Sequence, residues 1–283
     1  MKKSIVLSIA LISVLTMFTG CKSGNNSSVP TNTGNTADSN IAFNGKNVTS
    51  DLKTVCLQLT TTCENSSTTF DYNYAENIGD GRGITFGIIG FTTGTYDGNQ
   101  LIKYYTQLNP NNSLAKYIPA LDKIDTGKHD SEGKSDDLTG LENFISDVQA
   151  CRDPLFKQAQ LYELDKLYWD PAVKLANSIG AKNNLTLAFI YDTCVNHGAD
   201  GAKDYINTVK GELGGTPSSG IDENEFLSKF MEYRYDELAD EDPQGKNRVN
   251  AFRELLTSGN IDLKTPFEFT VYRDTYKIDG NVY

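Results

Sequence analysis

The stretch that decides how this chain is read is Asn77-Ile78-Gly79-Asp80-Gly81-Arg82-Gly83-Ile84-Thr85-Phe86-Gly87-Ile88-Ile89-Gly90-Phe91. Glycines at 79, 81 and 83 bracket Asp80 and Arg82, which predicts a tight turn presenting both side chains. The β-branched and aromatic residues from Ile84 to Phe91 predict a small β-hairpin or meander. Before it, Val48, Leu52, Val55 and Leu59 recur at four, three and four residues, an apolar stripe at helical period. Ser50 or Thr49 can cap that helix, and the stripe ends near Cys63-Glu64-Asn65-Ser66. Between the two, Phe70 to Tyr74 alternates briefly.

After Asp97 the pattern is helical almost throughout. Helices are expected over 98–108, 112–123, 137–150, 153–178, 183–197, 203–213, 222–239 and 246–258, with Pro110, Pro154, Pro217 and Pro243 at or near their breaks. The polar stretch 125–136 reads as a loop, and Phe267 to Tyr276 as a short strand. No internal repeat is visible. An α-rich chain with one small β element early in sequence can bury its core as two helical lobes flanking a cleft, the β element lying in the N-terminal lobe.

The ends and the charge narrow the setting. Lys2 and Lys3 precede an apolar run, Ile5 to Phe18, that is too short to span a bilayer comfortably and reads as a signal peptide over 1–20. Phe18-Thr19-Gly20-Cys21 resembles a lipoprotein processing site, which implies lipid attachment at Cys21. Residues 21–46, rich in Ser, Asn, Thr and Gly, are expected to be a flexible tether, leaving 47–283 as the folded domain. The expected location is extracytoplasmic, at the cell surface, or secreted if Cys21 carries no lipid. The full chain of 283 residues has a net charge of −11. That argues against a nucleic-acid partner, which needs a basic face, and suits a polycationic one. Cys56 and Cys63 sit seven residues apart on one helix, beyond disulfide reach. The cysteines read mostly as small buried residues, with a bridge at Cys151 or Cys194 left open. No metal-type His/Cys cluster and no cofactor motif is present, so no cofactor is expected.

Two acids stand out. Glu64 falls at a helix C-terminus, where the negative end of the dipole favours a protonated carboxyl. Asp80 falls in the glycine turn, where substrate and water can approach. One carboxyl biased protonated and one ionised is the pair that glycoside hydrolysis needs. Among 37 acidic residues that signal is weak alone.

A resemblance strengthens it. Glu64-Asn65-Ser66-Ser67 followed by Asn77 through Asp97 resembles the N-terminal signature of glycoside hydrolase family 46, the chitosanases. Similar segments continue in order: Leu114 to Leu121, Tyr168-Trp169-Asp170-Pro171-Ala172-Val173, Ile190-Tyr191-Asp192-Thr193-Cys194-Val195-Asn196-His197-Gly198, Phe230 to Asp236, and Asn247-Arg248-Val249. The resemblance covers roughly residues 50–275. It implies a mainly α (α+β), lysozyme-like fold and endo-hydrolysis of β-1,4-glucosamine chains with inversion. By the same resemblance Glu64 is the general acid, Asp80 the general base, and Thr85 helps hold the attacking water. Asp192, Arg234 and Arg248 match a charged network behind the acid. Asp97 matches a contact to a glucosamine ammonium, and Ser66, Tyr74, Arg82, Gly90, Thr95 and His197 match cleft-lining positions. The implied partners are chitosan and glucosamine oligosaccharides, reached by a monomer. Tyr168 and Trp169 are expected in the core, and His129 is given no role. Two rivals remain: a surface-anchored lipoprotein that binds amino-sugar polymers, disfavoured by the lack of alternating strands and helices, and a peptidoglycan-lytic glycosidase, disfavoured by Asp97 and the acidic balance.

Overall fold

The computed structural model describes residues 42–238 and 243–281. A two-strand ribbon comes first, β1 (Ala42–Phe43) and β2 (Lys46–Asn47), followed by α1 (Ser50–Asn65). Thr49 caps α1 by accepting the Leu52 N–H at 3.2 Å, and Asp51 lies in the first turn, where the helix dipole favours it. Ser66 ends the helix in the left-handed conformation (φ 50°), its N–H donating to the Thr62 carbonyl at 3.0 Å. Three short strands follow, β3 (Ala75–Glu76), β4 (Thr85–Phe86) and β5 (Phe91–Thr92), paired antiparallel in sequence order. Thr85 pairs with both Glu76 and Thr92 across this sheet.

The helices come next: α2 (Asp97–Leu108), α3 (Ile118–Asp125), α4 (Phe144–Ala150), α5 (Pro154–Leu164), α6 (Asp170–Ser178), α7 (Asn184–Leu213), α8 (Glu223–Glu237) and α9 (Pro243–Thr257). A hairpin of β6 (Phe267–Val271) and β7 (Asp274–Ile278) ends the described chain. Helices α5 and α6 are joined without a break by a π-helical turn, Asp165–Trp169.

Apolar side chains divide into two cores. The larger gathers α1, α6, α7, α8, α9 and the β6–β7 hairpin around Leu59, Trp169, Phe189, Phe230 and Phe252. The smaller gathers the three-stranded sheet with α2 to α5 around Phe86, Phe91, Tyr105, Phe144 and Phe156. The α5–α6 rod enters both, with Phe156 and Ala159 in the smaller core and Leu164 and Trp169 in the larger. These are the two lobes expected, with one rearrangement: α1, first in sequence among the helices, packs in the lobe built mostly from the C-terminal half.

Several expectations are corrected. The tether does not extend to 46, because Ala42–Asn47 form the β1–β2 ribbon and Phe43 is buried against the large core. The signal peptide, Cys21 and residues 22–41 lie outside the described residues. The helix expected at 137–150 starts only at Phe144, and the one expected at 112–123 is a 3-10 turn, Ala115–Tyr117, leading into α3. Phe70–Tyr74 is not a strand; pairing begins at Ala75. The break expected at 198–202 is present but shorter: Gly198 is non-helical (φ 74°, ψ 162°), a conformation that only glycine adopts without strain, and helix resumes directly after it as the second half of α7. The tail is a hairpin rather than one strand. All four described cysteines are buried and unbridged. No helix among the described residues is long and apolar enough to cross a membrane.

Candidate active site

Glu64 lies in the last turn of α1, in the larger lobe. There its carboxyl meets the negative end of the helix dipole. From the other side the Arg248 guanidinium pairs with it through Nη1 and Oε1. Arg248 in turn grips Asp192, with Nε 2.8 Å from Oδ2 and Nη2 2.7 Å from Oδ1. Asp192 also takes a bond from Arg234 Nη1 at 2.8 Å and one from the Thr60 hydroxyl at 3.2 Å. The result is a continuous chain, Arg234–Asp192–Arg248–Glu64, supplied by α1, α7, α8 and α9. Its first three members are essentially inaccessible to solvent. Burial alone would push the Asp192 carboxyl up, but the two guanidinium charges outweigh it and hold the group below the ordinary carboxylate range. The same pairing with Asp192 and Glu64 outweighs burial at Arg248 and holds it well above its usual value. Arg234 also bonds Thr193 Oγ1 and Asn196 Oδ1, and lies over the Phe189 ring.

Asp80 belongs to the smaller lobe. It is half-buried in the glycine turn, and Arg82 closes back onto it, Nε to Oδ2 at 2.6 Å and backbone N–H to Oδ1 at 3.1 Å. The turn is fixed from below. Gly83 (φ +76°) and Gly94 leave no room for a Cβ, which would overlap Thr93 Oγ1 and the Ser135 carbonyl oxygen respectively. Thr85 stands on β4 with its hydroxyl buried and without a hydrogen-bond partner among the described residues. An unmet buried hydroxyl costs about 1–3 kcal/mol, so such a group is expected to serve a ligand or a water. Gly90 (φ +72°) lies against Thr85, whose methyl would sit 3.2 Å from any Cβ added there.

Asp97 opens α2. Its Oδ1 accepts from Thr92 N–H (3.2 Å), Thr95 Oγ1 (3.0 Å) and Gly98 N–H (2.9 Å). Burial pushes this carboxyl up to about 6, against the pull of those donors and the Arg82 charge. His197 lies just before the α7 kink, with Nε2 buried and unpartnered. Burial, reinforced by the charges of Arg234 and Arg248, brings its pKa down to about 3, so the ring is neutral near pH 7. Tyr74 donates to Glu76 Oε2 at 3.2 Å, and Ser66, exposed at the end of α1, faces the Tyr276 phenol. Among the described residues no group of three His, Cys, Asp or Glu side chains could hold a metal ion.

Against known proteins, the model of Glycosyl hydrolase family 46 matches residues 58–267. The chain belongs to glycosyl hydrolase family 46. It is 36% identical over 222 residues to a chitosanase of Bacillus subtilis (strain 168), covering 74% of this chain and 78% of that protein. It is also 36% identical over 240 residues to a chitosanase of Streptomyces sp. (strain N174), covering 81% and 82%. Among solved structures it is similar to a mutant chitosanase from Bacillus subtilis MY002 complexed with 6 GlcN (TM-score 0.71, 33% identity, 81% of this chain and 98% of that one). It is likewise similar to the Gynuella sunshinyii family 46 chitosanase in complex with chitotetraose (TM-score 0.72, 31% identity, 82% and 98%).

Within this family 46 fold the sequence-predicted residues form two groups, one per lobe. Glu64, Asp192, Arg234, Arg248 and His197 stand on the large lobe, with Ser66 beside them. Asp80, Arg82, Thr85, Gly90, Thr95 and Asp97 stand on the small one, with Tyr74 at its sheet. Sequence reasoning missed what connects them. Tyr168, expected in the core, is half-buried in the π turn, and the charges of Asp97, Glu64 and Arg82 all act on its phenol. Burial and the two carboxylates push that phenol up, so it stays neutral at the junction of the lobes. Tyr272, at the tip of the β6–β7 hairpin, is pushed up by burial and faces Arg248 and Glu64 within the large lobe. Neither had a local signal, because a π turn and a hairpin tip without glycine leave no mark in composition.

Proposed function

We propose that this chain is an endo-acting chitosanase that hydrolyses β-1,4 bonds between glucosamine units with inversion. One observation carries the reading. In a family 46 chain, two arginine-paired carboxyls are mounted on separate lobes, Glu64 at the end of α1 and Asp80 in the glycine turn. Glu64 is the general acid, giving its proton to the leaving glycosidic oxygen. Asp80 is the general base, taking a proton from the water that attacks the opposite face of the sugar. Inverting enzymes hold such a pair about 6.5–9.5 Å apart, leaving room for that water. Thr85 supplies its unpartnered hydroxyl to hold the water on the Asp80 side. The buried chain Arg234–Asp192–Arg248 orients the acid from behind, and Asp192 offsets one of the two positive charges there.

Substrate capture rests on charge. Asp97 receives a glucosamine ammonium, and the acidic chain as a whole draws a cationic polymer. His197 is neutral near pH 7, so it accepts or donates a hydrogen bond without repelling that polymer. Arg82, Tyr74, Ser66, Gly90 and Thr95 line the cleft. The amino-terminal signal and Cys21 support export and a lipid anchor at the cell surface, with the catalytic domain acting as a monomer. Labelling by radioactive fatty acid that is lost in Cys21→Ser tests the anchor.

The deciding experiment is reducing-end release from chitosan, from chitin and from peptidoglycan by the wild-type chain and its Glu64→Gln variant. Cleavage of chitosan alone, abolished in the variant, is expected. Cleavage of peptidoglycan in preference would transfer the chain to a cell-wall reading. The first anomer formed should be α by NMR; an initial β-anomer excludes inversion.

A further inference from the structure

One exposed aromatic group beside the site has no part in the reading above. Tyr96 lies between Thr95 and Asp97, and it is among the most exposed large apolar side chains described, at 38%. Its backbone sits at φ 72°, ψ −35°, a conformation that a bulky residue adopts only at a cost. Glycine would be the undemanding choice there. The ring is nonetheless held in place: it stacks on the His129 imidazole, centroids 5.0 Å apart and planes 13° from parallel. His129 comes from the loop after α3, and that loop is itself fixed. Ser135 N–H donates to the Gly94 carbonyl at 3.0 Å, and Asp130 Oδ1 accepts the N–H groups of Glu132 and Lys134 at 2.8 Å each. One face of Tyr96 is therefore occupied by His129, and exposure falls on the remainder of the ring. The neighbourhood is of mixed charge: Asp97 is next in sequence and Asp130 stands in the backing loop, where Lys128 precedes His129 and Glu132 is paired with Lys134.

We propose that the outer face of Tyr96, backed by His129, is a further sugar-binding platform that stacks a glucosamine ring of the polymer adjacent to the unit whose ammonium Asp97 receives. The occupant follows from three features. A flat, rigid aromatic face suits the apolar C–H face of a pyranose, the carboxylates of Asp97 and Asp130 suit its ammonium, and the platform is continuous in sequence with Asp97. A strained backbone kept at an exposed tyrosine is the mark of a side chain retained for contact rather than for stability. This inference rests on the chitosanase reading for its substrate.

The test compares wild type with Tyr96→Ala, Tyr96→Phe, Tyr96→Gly and His129→Ala on glucosamine oligomers from the trimer to the hexamer. Tyr96→Ala is expected to raise KM about 3- to 10-fold on the longer oligomers, the range for loss of one aromatic contact. It should leave kcat and the short-oligomer KM unchanged. Tyr96→Phe should match wild type, and His129→Ala should shift KM in the same direction by less. Tyr96→Gly should lose the same long-oligomer affinity while melting no lower than wild type, since it relieves the backbone. Equal KM at every length in Tyr96→Ala overturns the platform. So does an equal loss at all lengths with a lowered kcat, which would mean that Tyr96 only shapes the Asp97 loop. Calorimetric binding of the hexamer to Glu64→Gln, with and without Tyr96→Ala, reads the platform without turnover. If wild type fails to cleave chitosan, the chitosanase reading falls, and Tyr96-dependent hexamer binding still supports the platform. No hexamer binding at all would overturn both.

Discussion

Glu64 and Asp80 are both carboxylates paired to an arginine, but the two arginines are built into the protein differently. Arg248 comes from a helix 184 residues away in sequence, is 2% exposed, and is itself held by a buried aspartate shared with Arg234. Arg82 is two residues from its partner, partly exposed, and belongs to the same glycine turn. Glu64 is thus oriented by the packing of a whole lobe, Asp80 by a local loop. Removing support should damage fold and chemistry together on the first side, and chemistry almost alone on the second.

The largest expected effect lies on the acid itself. Glu64→Gln should lower kcat on chitosan by about 10²- to 10⁴-fold, with circular dichroism unchanged; appreciable residual turnover would move the acid elsewhere. Next comes the contrast between supports. Arg248→Ala leaves buried Asp192 half-compensated and should cost about 3–5 kcal/mol of stability, together with activity. Arg82→Ala, which removes a solvent-reached pair, should cost about 1 kcal/mol or less while still lowering activity. Thermal melts of both variants check this, and similar losses would erase the distinction. Thr85→Val keeps the strand residue and removes the hydroxyl; loss of one hydrogen bond to the attacking water predicts kcat lower by about tenfold, partly restored in Thr85→Ser.

The smallest effect concerns pH. The Asp97 carboxyl is raised from 3.8 to about 6, so the folded state holds its proton more tightly than the unfolded chain. Its contribution to stability therefore falls as pH rises between those values and is flat above about 6. Ammonium capture runs the other way, growing as Asp97 ionises. KM for chitosan should rise as pH drops below about 6 in wild type, and that inflection should vanish in Asp97→Asn, whose KM is higher throughout.

Much of this was legible in the sequence, and the losses have physical causes. The α1 stripe, its Thr49 cap and the glycine turn are local patterns, and each formed where expected. The family resemblance pointed to Asp192, Arg234 and Arg248 as a set, and the structure joins them to Glu64 in one chain. What failed depends on long-range context. Gly198 does interrupt α7, but helix resumes directly after it rather than at 203, where buried Ala202 joins the large core. The final hairpin turns at Tyr272 and Arg273, both at positive φ, without the glycine or asparagine that would announce it. Phe43 sits in a polar stretch and is buried only because the large core offers it a place. The Tyr96–His129 stack joins residues 33 apart through a loop of no recognisable pattern.

The α5–α6 rod has a mechanical meaning. Glu64 and Asp80 stand on different lobes, and this is the helical element that enters both cores, so it ties the two like the joint of a pair of calipers. Its pivot is the five-residue turn Asp165–Trp169, where the wider backbone ladder also carries Tyr168 to the opening. A change of a few degrees there would shift the spacing between Glu64 and Asp80. The spacing of the two carboxyls is thereby tied to a turn that belongs to neither lobe alone.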